Sequence, residues 1–405
     1  MIAYREALEL VLAAAKALPA ESVPLAGAMG RTLARDVKAR EDIPPFTKAT
    51  MDGYALRAAD TEPAGPGGPG WVDLEVVADL PAGRLPKKPI GPGQAVRIMT
   101  GAPLPAGADA VVMVEDTASH GQAVTVRCRV RPGDNIGLAG EDLKKGEIAV
   151  GRGVRIGPAE IGVLASAGAA RVPVSRRPKV AVIATGDEIV EPGLPKRRGQ
   201  IRNSNGPALT AMAAGAGAEP AYLGIARDKS ASLAARLARA KGADVLVLSG
   251  GVSVGDYDLV KAGLEAAGVR QVFWQVRIKP GKPVFFGRRG RQLVFGLPGN
   301  PTSSMVTFHL FVRPALDRLL GRAEVGMAAA TAVLDEAIAV KPGRTQFLRG
   351  RIVGRGPALR VAPYEDQRSG VLRSMVRGRV LIIVPAEAGR IEAGAEVEIL
   401  VMDGV

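Results

Sequence analysis

From Lys179 to about Gly321, short apolar runs alternate with helix-compatible stretches, and glycine-bearing turns close the runs. Val180 to Ile183, Val245 to Leu248 and Leu293 to Phe295 read as buried strands, because unbroken apolar runs of this length suit strands covered on both faces, and Tyr222 to Ile225 reads as a further strand. Pro207 to Ala216 and Ser232 to Ala240 supply helices between them. Asp256 or Tyr257 opens another, running to Ala267, and Asn300-Pro301 opens one through Leu320 with proline in its first turn. This alternation predicts a doubly wound α/β unit, a fold that binds ligands where its strands end.

Four turns punctuate the unit: Thr185-Gly186-Asp187-Glu188, Ser249-Gly250-Gly251-Val252-Ser253-Val254-Gly255-Asp256, Lys279-Pro280-Gly281-Lys282-Pro283 and Leu297-Pro298-Gly299-Asn300-Pro301. Three follow strands directly and Val272 to Ile278 alternates ahead of the lysine turn, so all four are expected at one sheet edge. Their chemistry suits a phosphorylated ligand held with a divalent cation. Glycine turns offer backbone N–H groups, Lys279 and Lys282 offer ammonium groups, and Asp187, Glu188, Asp228, Asp256 and Asp258 offer carboxylates. The alternatives stay open at this point: Asp187 as a cap, the carboxylates as partners of arginines, and the lysines as solvated surface. The Gly250-Gly251 turn lacks the Gly-Lys-Ser/Thr ending of a Walker loop and the dinucleotide fingerprint, so it reads as a backbone cradle with Ser249 and Ser253 as hydroxyl donors. Thr302, Ser303 and Ser304 stand in the first turn of the helix after Asn300-Pro301, another place for an anion.

A chain of 405 residues is too long for one core and implies two to four domains. The first seventeen residues form an amphipathic helix stopped by Pro19, and Phe46 to Asn135 reads as a small β-rich domain with a surface loop at Thr61 to Gly70. A helical stretch over Ala159 to Ala167 precedes Pro173 to Pro178, a basic, proline-bracketed linker. After Gly326, five strand runs (Ala332 to Val340, Gln346 to Val353, Ala358 to Ala362, Arg379 to Val384, Glu396 to Val401) suggest a small β-barrel or sandwich. One cysteine, Cys128, excludes an intramolecular disulfide; it lies in an alternating strand run and reads as a structural thiol in a cytoplasmic protein. His120 and His309 have no partner at zinc-site spacing. The net charge of +14 favours polyanionic partners, but the basic clusters Arg176-Arg177 and Lys196-Arg197-Arg198 have no interleaved aromatics, which makes nucleic acid a minority reading. No apolar run approaches the roughly 20 residues of a membrane span, and no signal peptide is visible.

Together these strings resemble the molybdopterin molybdenumtransferases, the family of bacterial MoeA proteins and the gephyrin E domain. The motifs are MDGYA from Met51, TGAPLPAGADAVV from Thr100, AGED from Ala139, ATGDE from Ala184, SGGVSVGDYD from Ser249, IKPGKP from Ile278, GLPGNP from Gly296 and RSG from Arg368. They span essentially the whole chain, in family order. The resemblance implies an enzyme that inserts molybdate into adenylylated molybdopterin, releasing AMP, with Mg²⁺. It also implies a homodimer, and partners that include the molybdopterin adenylyltransferase and cofactor-free molybdoenzymes. The fold it implies is multidomain, α/β plus β: a discontinuous linking domain (1–45 and 136–176), a β-rich insert (46–135), a central doubly wound molybdopterin-binding α/β domain (177–325) and a C-terminal β-barrel-like domain (326–405).

By motif position, the resemblance gives catalytic roles to Asp52, Thr100, Asp142, Glu188, Asp228 and Asp258. Substrate binding falls to Thr185, Gly186, Ser249, Gly250, Gly251, Ser253, Gly255, Pro298, Gly299 and Asn300. Molybdate binding falls to Lys279, Lys282, Pro283, Ser303, Arg349 and Ser369, and Mg²⁺ to Asp187, Glu188, Asp256 and Asp258. Before Met51 the chain reads Phe46-Thr47-Lys48-Ala49-Thr50, where relatives usually carry an Asn-Ser-Ala type sequence. Two other functions compete: a non-catalytic scaffold of the gephyrin type, and the adenylyltransferase, which shares the α/β domain but not the flanking β domains.

Overall fold

The structure is a computed structural model that describes residues 1–251, 257–354 and 358–402, without the side chains of Tyr257 and Asp258. Its centre is a six-stranded sheet in the order Glu219–Ala226, Lys179–Thr185, Val245–Ser249, Gln292–Leu297, Phe285–Arg289, Arg270–Trp274. The first four strands are parallel, and the two pairings that add Phe285–Arg289 and Arg270–Trp274 are antiparallel. Helices cover both faces: Val180, Val182, Val245 and Val247 pack in one core with Leu209 and Ala213, while Ala181, Ile183, Leu246 and Leu248 pack in another with Leu233 and Leu237. Burial on both faces explains why these strands are aliphatic throughout.

Residues 46–135 carry a second six-stranded sheet, with separate small cores on its faces around Leu56 and Val112 and around Ile98 and Val111. In the C-terminal region Thr345–Val353 pairs with both Arg360–Pro363 and Val380–Val384, and the chain of pairings through Ala328–Leu334 and Glu396–Val401 closes a barrel. The N-terminal helix, Tyr4–Ala14, docks on the α/β core, and Tyr4 sets its ring 4.9 Å from Phe347 of the barrel and 5.8 Å from Phe311. Among the described residues no helix is long and apolar enough to cross a membrane.

Several expectations are corrected. The run Val272 to Ile278 is not one strand: it breaks at Gln275, which has φ +67°, and Ile278–Lys279 pairs in parallel with Thr345 and Gln346 of the C-terminal sheet. The lysine turn therefore reaches the α/β edge from another sheet. The Pro173 to Pro178 segment is no free linker, because Arg171–Ser175 pairs with Ala20–Pro24. Beyond it, Arg176 makes a two-pronged ion pair with Asp244 at 2.8 and 3.0 Å. The helix after Asn300 runs Pro301–Thr307, widens to a π-turn over Phe308–Val312, which holds His309, and resumes as Arg313–Leu319. The first helix ends at Ala14, the run Ala332 to Val340 divides into Ala328–Leu334 and Ile338–Ala339, His120 ends a strand, and Cys128 falls in a bend beyond Val126.

Near the end of helix Arg313–Leu319, beside the Gly153–Arg155 segment, Asp317 is 1% exposed. It accepts hydrogen bonds from Arg313 Nε, Arg322 Nη1 and the Gly326 amide, while Arg322 Nη2 reaches Ala216 O at 3.0 Å. Removing one member of such a cluster leaves buried charge uncompensated, so Asp317→Ala should cost about 3–5 kcal/mol, measured as a lower denaturation midpoint at unchanged slope.

Candidate active site

Ala184, Ser249 and Leu297 lie opposite one another in the parallel ladder, so the three turns that follow emerge side by side. Short bonds knit them together: Gly186 N–H donates to Ala226 O, Thr185 Oγ1 to Ser249 O at 3.2 Å, and Gly250 N–H to Leu297 O at 3.0 Å. Between them opens a cleft of about 280 Å³ lined by Thr185, Gly186, Glu188, Asp228, Gly250, Gly251, Pro283, Pro298, Gly299 and Asn300. The structure thus gathers most of the α/β residues named from the sequence. Ser253, Gly255 and Asp256, and the side chain of Asp258, lie outside the described residues.

The acidic wall is locked by its own backbone. Asp187 N–H donates to Asp228 Oδ2 at 3.1 Å, and Asp228 N–H donates to Asp187 Oδ1 at 3.2 Å, so each carboxylate spends one oxygen on the other's amide. Arg227 clamps the same turn, its Nη1 reaching the carbonyls of Gly186, Asp187 and Ile189 at 2.9 to 3.3 Å. Glu188 folds back over Gly186, and that residue's φ of +135° lies where residues other than glycine are strained.

The lysine turn meets this wall through Pro283. Lys279 and Lys282 are both exposed, and Gly281, at φ +104°, presses on Thr307, whose Cγ2 would lie 2.3 Å from a Cβ at that position. On the other side of helix Pro301–Thr307, Thr302 N–H donates to Ser369 O at 3.2 Å and Thr302 Oγ1 to Val371 O. Arg349 is 1% exposed and holds this loop from beneath: Nε donates to Ser374 Oγ at 3.1 Å, and Nη2 to Asp366 O at 3.1 Å and Arg368 O at 3.2 Å. Burial pulls its guanidinium below the ordinary arginine value, and nearby Asp366 opposes the shift. Ser303 is 4% exposed and lies one helical turn before Thr307, whose hydroxyl donates to its carbonyl.

Asp52, Thr100 and Asp142 belong elsewhere in the chain. Asp52 Oδ1 accepts the Thr100 amide at 2.7 Å and the Thr100 hydroxyl at 2.6 Å, and those bonds hold its carboxyl below the usual aspartate range. No strand pairing or hydrophobic cluster among the described residues joins 46–135 to 177–402. The unusual segment before Met51 is held by backbone bonds, Ala49 N–H to Ala102 O, Thr50 N–H to Asn135 O and Leu104 N–H to Thr47 O, which do not depend on its side chains.

Sequence reasoning missed Arg227 and Asn205. Asn205 Nδ2 lies 2.7 Å from both Ser249 Oγ and Gly299 O, linking two of the turns. A polar residue at the opening of a helix was the available signal. The Asp52 geometry has a sign that can be tested. A depressed folded-state pKa contributes stability above the unfolded value and loses it as pH falls through the folded one. The Thr100 amide resonance should therefore hold its position through the ordinary aspartate range near pH 4 and shift only below it, as read by NMR titration.

Family models match three consecutive parts of the chain: the MoeA N-terminal region (domain I and II) at residues 2–168, a probable molybdopterin binding domain at 181–318, and the MoeA C-terminal region (domain IV) at 331–402. A molybdopterin molybdenumtransferase of Bacillus subtilis is 38% identical over 387 residues, 94% of this chain and 90% of that one. Molybdopterin molybdenumtransferase 2 of Mycobacterium tuberculosis is 37% identical over 384 residues, 93% and 94% of the two chains. The crystal structure of a molybdopterin biosynthesis moeA protein from Pyrococcus horikosii superposes with a TM-score of 0.83 at 36% identity, covering 100% of both chains. The chain belongs to the MoeA family of molybdopterin molybdenumtransferases.

Proposed function

We propose that this protein inserts molybdate into adenylylated molybdopterin and releases AMP. The observation that carries this reading is that Pro283, the residue after Lys282, lines the same cleft as Glu188 and Asp228. The lysine turn thereby abuts the carboxylate cleft through Pro283, and in this reading the exposed Lys279 and Lys282 stand at its mouth rather than in its lining. With the Gly186 and Gly250 amides already given to Ala226 O and Leu297 O, the glycine-turn amides left to face phosphate among the described residues are those of Gly251 and Gly299, and the ammonium groups of Lys279 and Lys282, with the Ser303 and Ser369 hydroxyls, receive the tetrahedral oxyanion. Arg349 acts here by shaping the Asp366–Ser369 loop, since its described hydrogen bonds go to that loop and to Ser374.

Among the described residues no three acidic side chains converge closely enough to enclose a metal, so the donor set fits Mg²⁺ only as an ion that takes one or two carboxylates together with substrate phosphate. Asp187 and Asp228 each keep one carboxylate oxygen without a hydrogen bond among the described residues, Glu188 is exposed beside them, and hard oxygen donors are what this ion takes. Asp256 and Asp258 complete the proposed set. Bound there, the ion would neutralise charge on the phosphoanhydride. Glu188, on the turn that Arg227 braces, and Asp228, in the reciprocal aspartate pair, would hold the ion against the adenylyl phosphate.

Separate cores favour units near 46–135, 326–405 and the part of 1–45 with 136–176 from Ala28 onward, while helix Tyr4–Ala14 and Phe347, Leu381 and Met402 of the barrel pack into the core of 177–325. In a homodimer, Asp52 and Thr100 of one subunit would approach the cleft of the other, with Asp142 at the adjoining turn. The adenylyltransferase that supplies substrate, the cofactor-free molybdoenzymes that take product, and a cytoplasmic address belong to the same reading.

With purified protein, adenylylated molybdopterin and Mg²⁺, AMP release should depend on molybdate and should yield product that activates a cofactor-free molybdoenzyme. AMP release absent under all conditions, with substrate still bound, would reject the reading. Lys279→Ala should raise the molybdate KM about tenfold or more while leaving substrate affinity intact, as expected for loss of a charged hydrogen bond to an anion. Neither Asp52→Ala nor Lys279→Ala homodimers should turn over normally, yet mixing them under subunit exchange should restore up to about a quarter of wild-type activity, because about half the dimers become heterodimers and each of those carries one intact composite site of its two.

A further inference from the structure

Asn205 opens helix Asn205–Gly215 and is held in advance of any ligand. Two residues earlier, Asn203 is 2% exposed; its Oδ1 accepts the Gly206 amide at 3.0 Å and its Nδ2 reaches Tyr222 Oη at 2.6 Å, while the Tyr222 hydroxyl donates to Glu191 at 2.6 Å. This partly buried network fixes the start of the helix. From it, the Asn205 amide reaches Ser249 Oγ and Gly299 O, both at 2.7 Å. Gly299 O only accepts, so the atom facing it is the nitrogen, and the –NH₂ group has two protons for its two acceptors.

Having accepted from Asn205, the Ser249 hydroxyl has its own proton left to give. Ser304 Oγ lies 3.3 Å away, and both serines are buried, at 2% and 0% exposure. At the same place the two turns touch: a Cβ on Gly299 would stand 3.6 Å from the Gly250 Cα.

We propose that Asn205 is a positioning residue for substrate: its amide staples the Ser249–Gly251 turn to the Pro298–Asn300 turn and sets Ser249 Oγ as a donor. The inference deepens the proposed function and rests on it. Alanine removes both donors. Aspartate keeps the shape but offers Gly299 O only repulsion, so an amide with this role cannot be replaced by its isostere.

The test measures equilibrium affinity for adenylylated molybdopterin, single-turnover AMP release and the molybdate KM for wild type, Asn205→Ala, Asn205→Asp, Ser249→Ala and the Asn205→Ala/Ser249→Ala double variant. Thermal melting of each reports folding. Both Asn205 variants should lose about tenfold or more in substrate affinity with the molybdate KM within about twofold of wild type. The double variant should lose much less than the product of the single losses, because both act through one contact. Wild-type affinity in Asn205→Asp would overturn the proposal, as would single losses that multiply. Wild type that neither binds the substrate nor releases AMP would instead remove the function on which the proposal stands.

Discussion

The in-register parallel ladder through Ala184, Ser249 and Leu297 is the constraint from which the site follows. Parallel strands of one sheet end on the same side, so matching their last residues brings three turns to one line without any contact between side chains. A shift of one residue in any strand would turn its side chains to the opposite face, exchanging Val245 and Val247 in one core for Leu246 and Leu248 in the other. Packing on both faces therefore guards the turn alignment. The hydrophobic burial that stabilises the domain also fixes where a ligand is met.

The lysine turn depends on a different constraint. It arrives on an extension of the C-terminal sheet, and two contacts set it beside the α/β edge: the Ile278–Lys279 pairing with Thr345 and Gln346, and the approach of Gly281 to Thr307. On the far side of the same helix, the Thr302 bonds and the Arg349 bonds fasten the Asp366–Val371 loop. Helix Pro301–Thr307 is thus gripped from both flanks by the C-terminal region. Tyr4 adds a third tie, its hydroxyl pushed up to about 12 chiefly by burial between the α/β core and the barrel. The proposed anion site is the seam between two cores, and its geometry is only as firm as these ties.

What the sequence made legible was the part governed by local pattern. Val180 to Ile183 and Val245 to Leu248 declare themselves because a strand buried on both faces has no polar positions to obscure it. The break at Gln275 was not legible, since an alternating run gives no warning that one residue will adopt positive φ. Nor was the strand at Arg171–Ser175, where Pro173 and the following arginines imitate a linker although the partner strand lies about 150 positions earlier. In the cleft, Glu188 and the glycines stood out as motif residues, while Arg227 and Asn205 did not. Their roles exist only through carbonyls and hydroxyls brought from distant turns, and no local spacing encodes those.

That the lysine turn and the acidic cleft form one site is the central claim, and anomalous diffraction from crystals soaked in molybdate tests it most directly. The account predicts a molybdenum peak within hydrogen-bond distance of the Lys279 and Lys282 ammonium groups, at the mouth of the cleft that holds Glu188 and Asp228. A peak confined to another basic cavity, such as that lined by Arg155, Arg313 and Arg322, would contradict it.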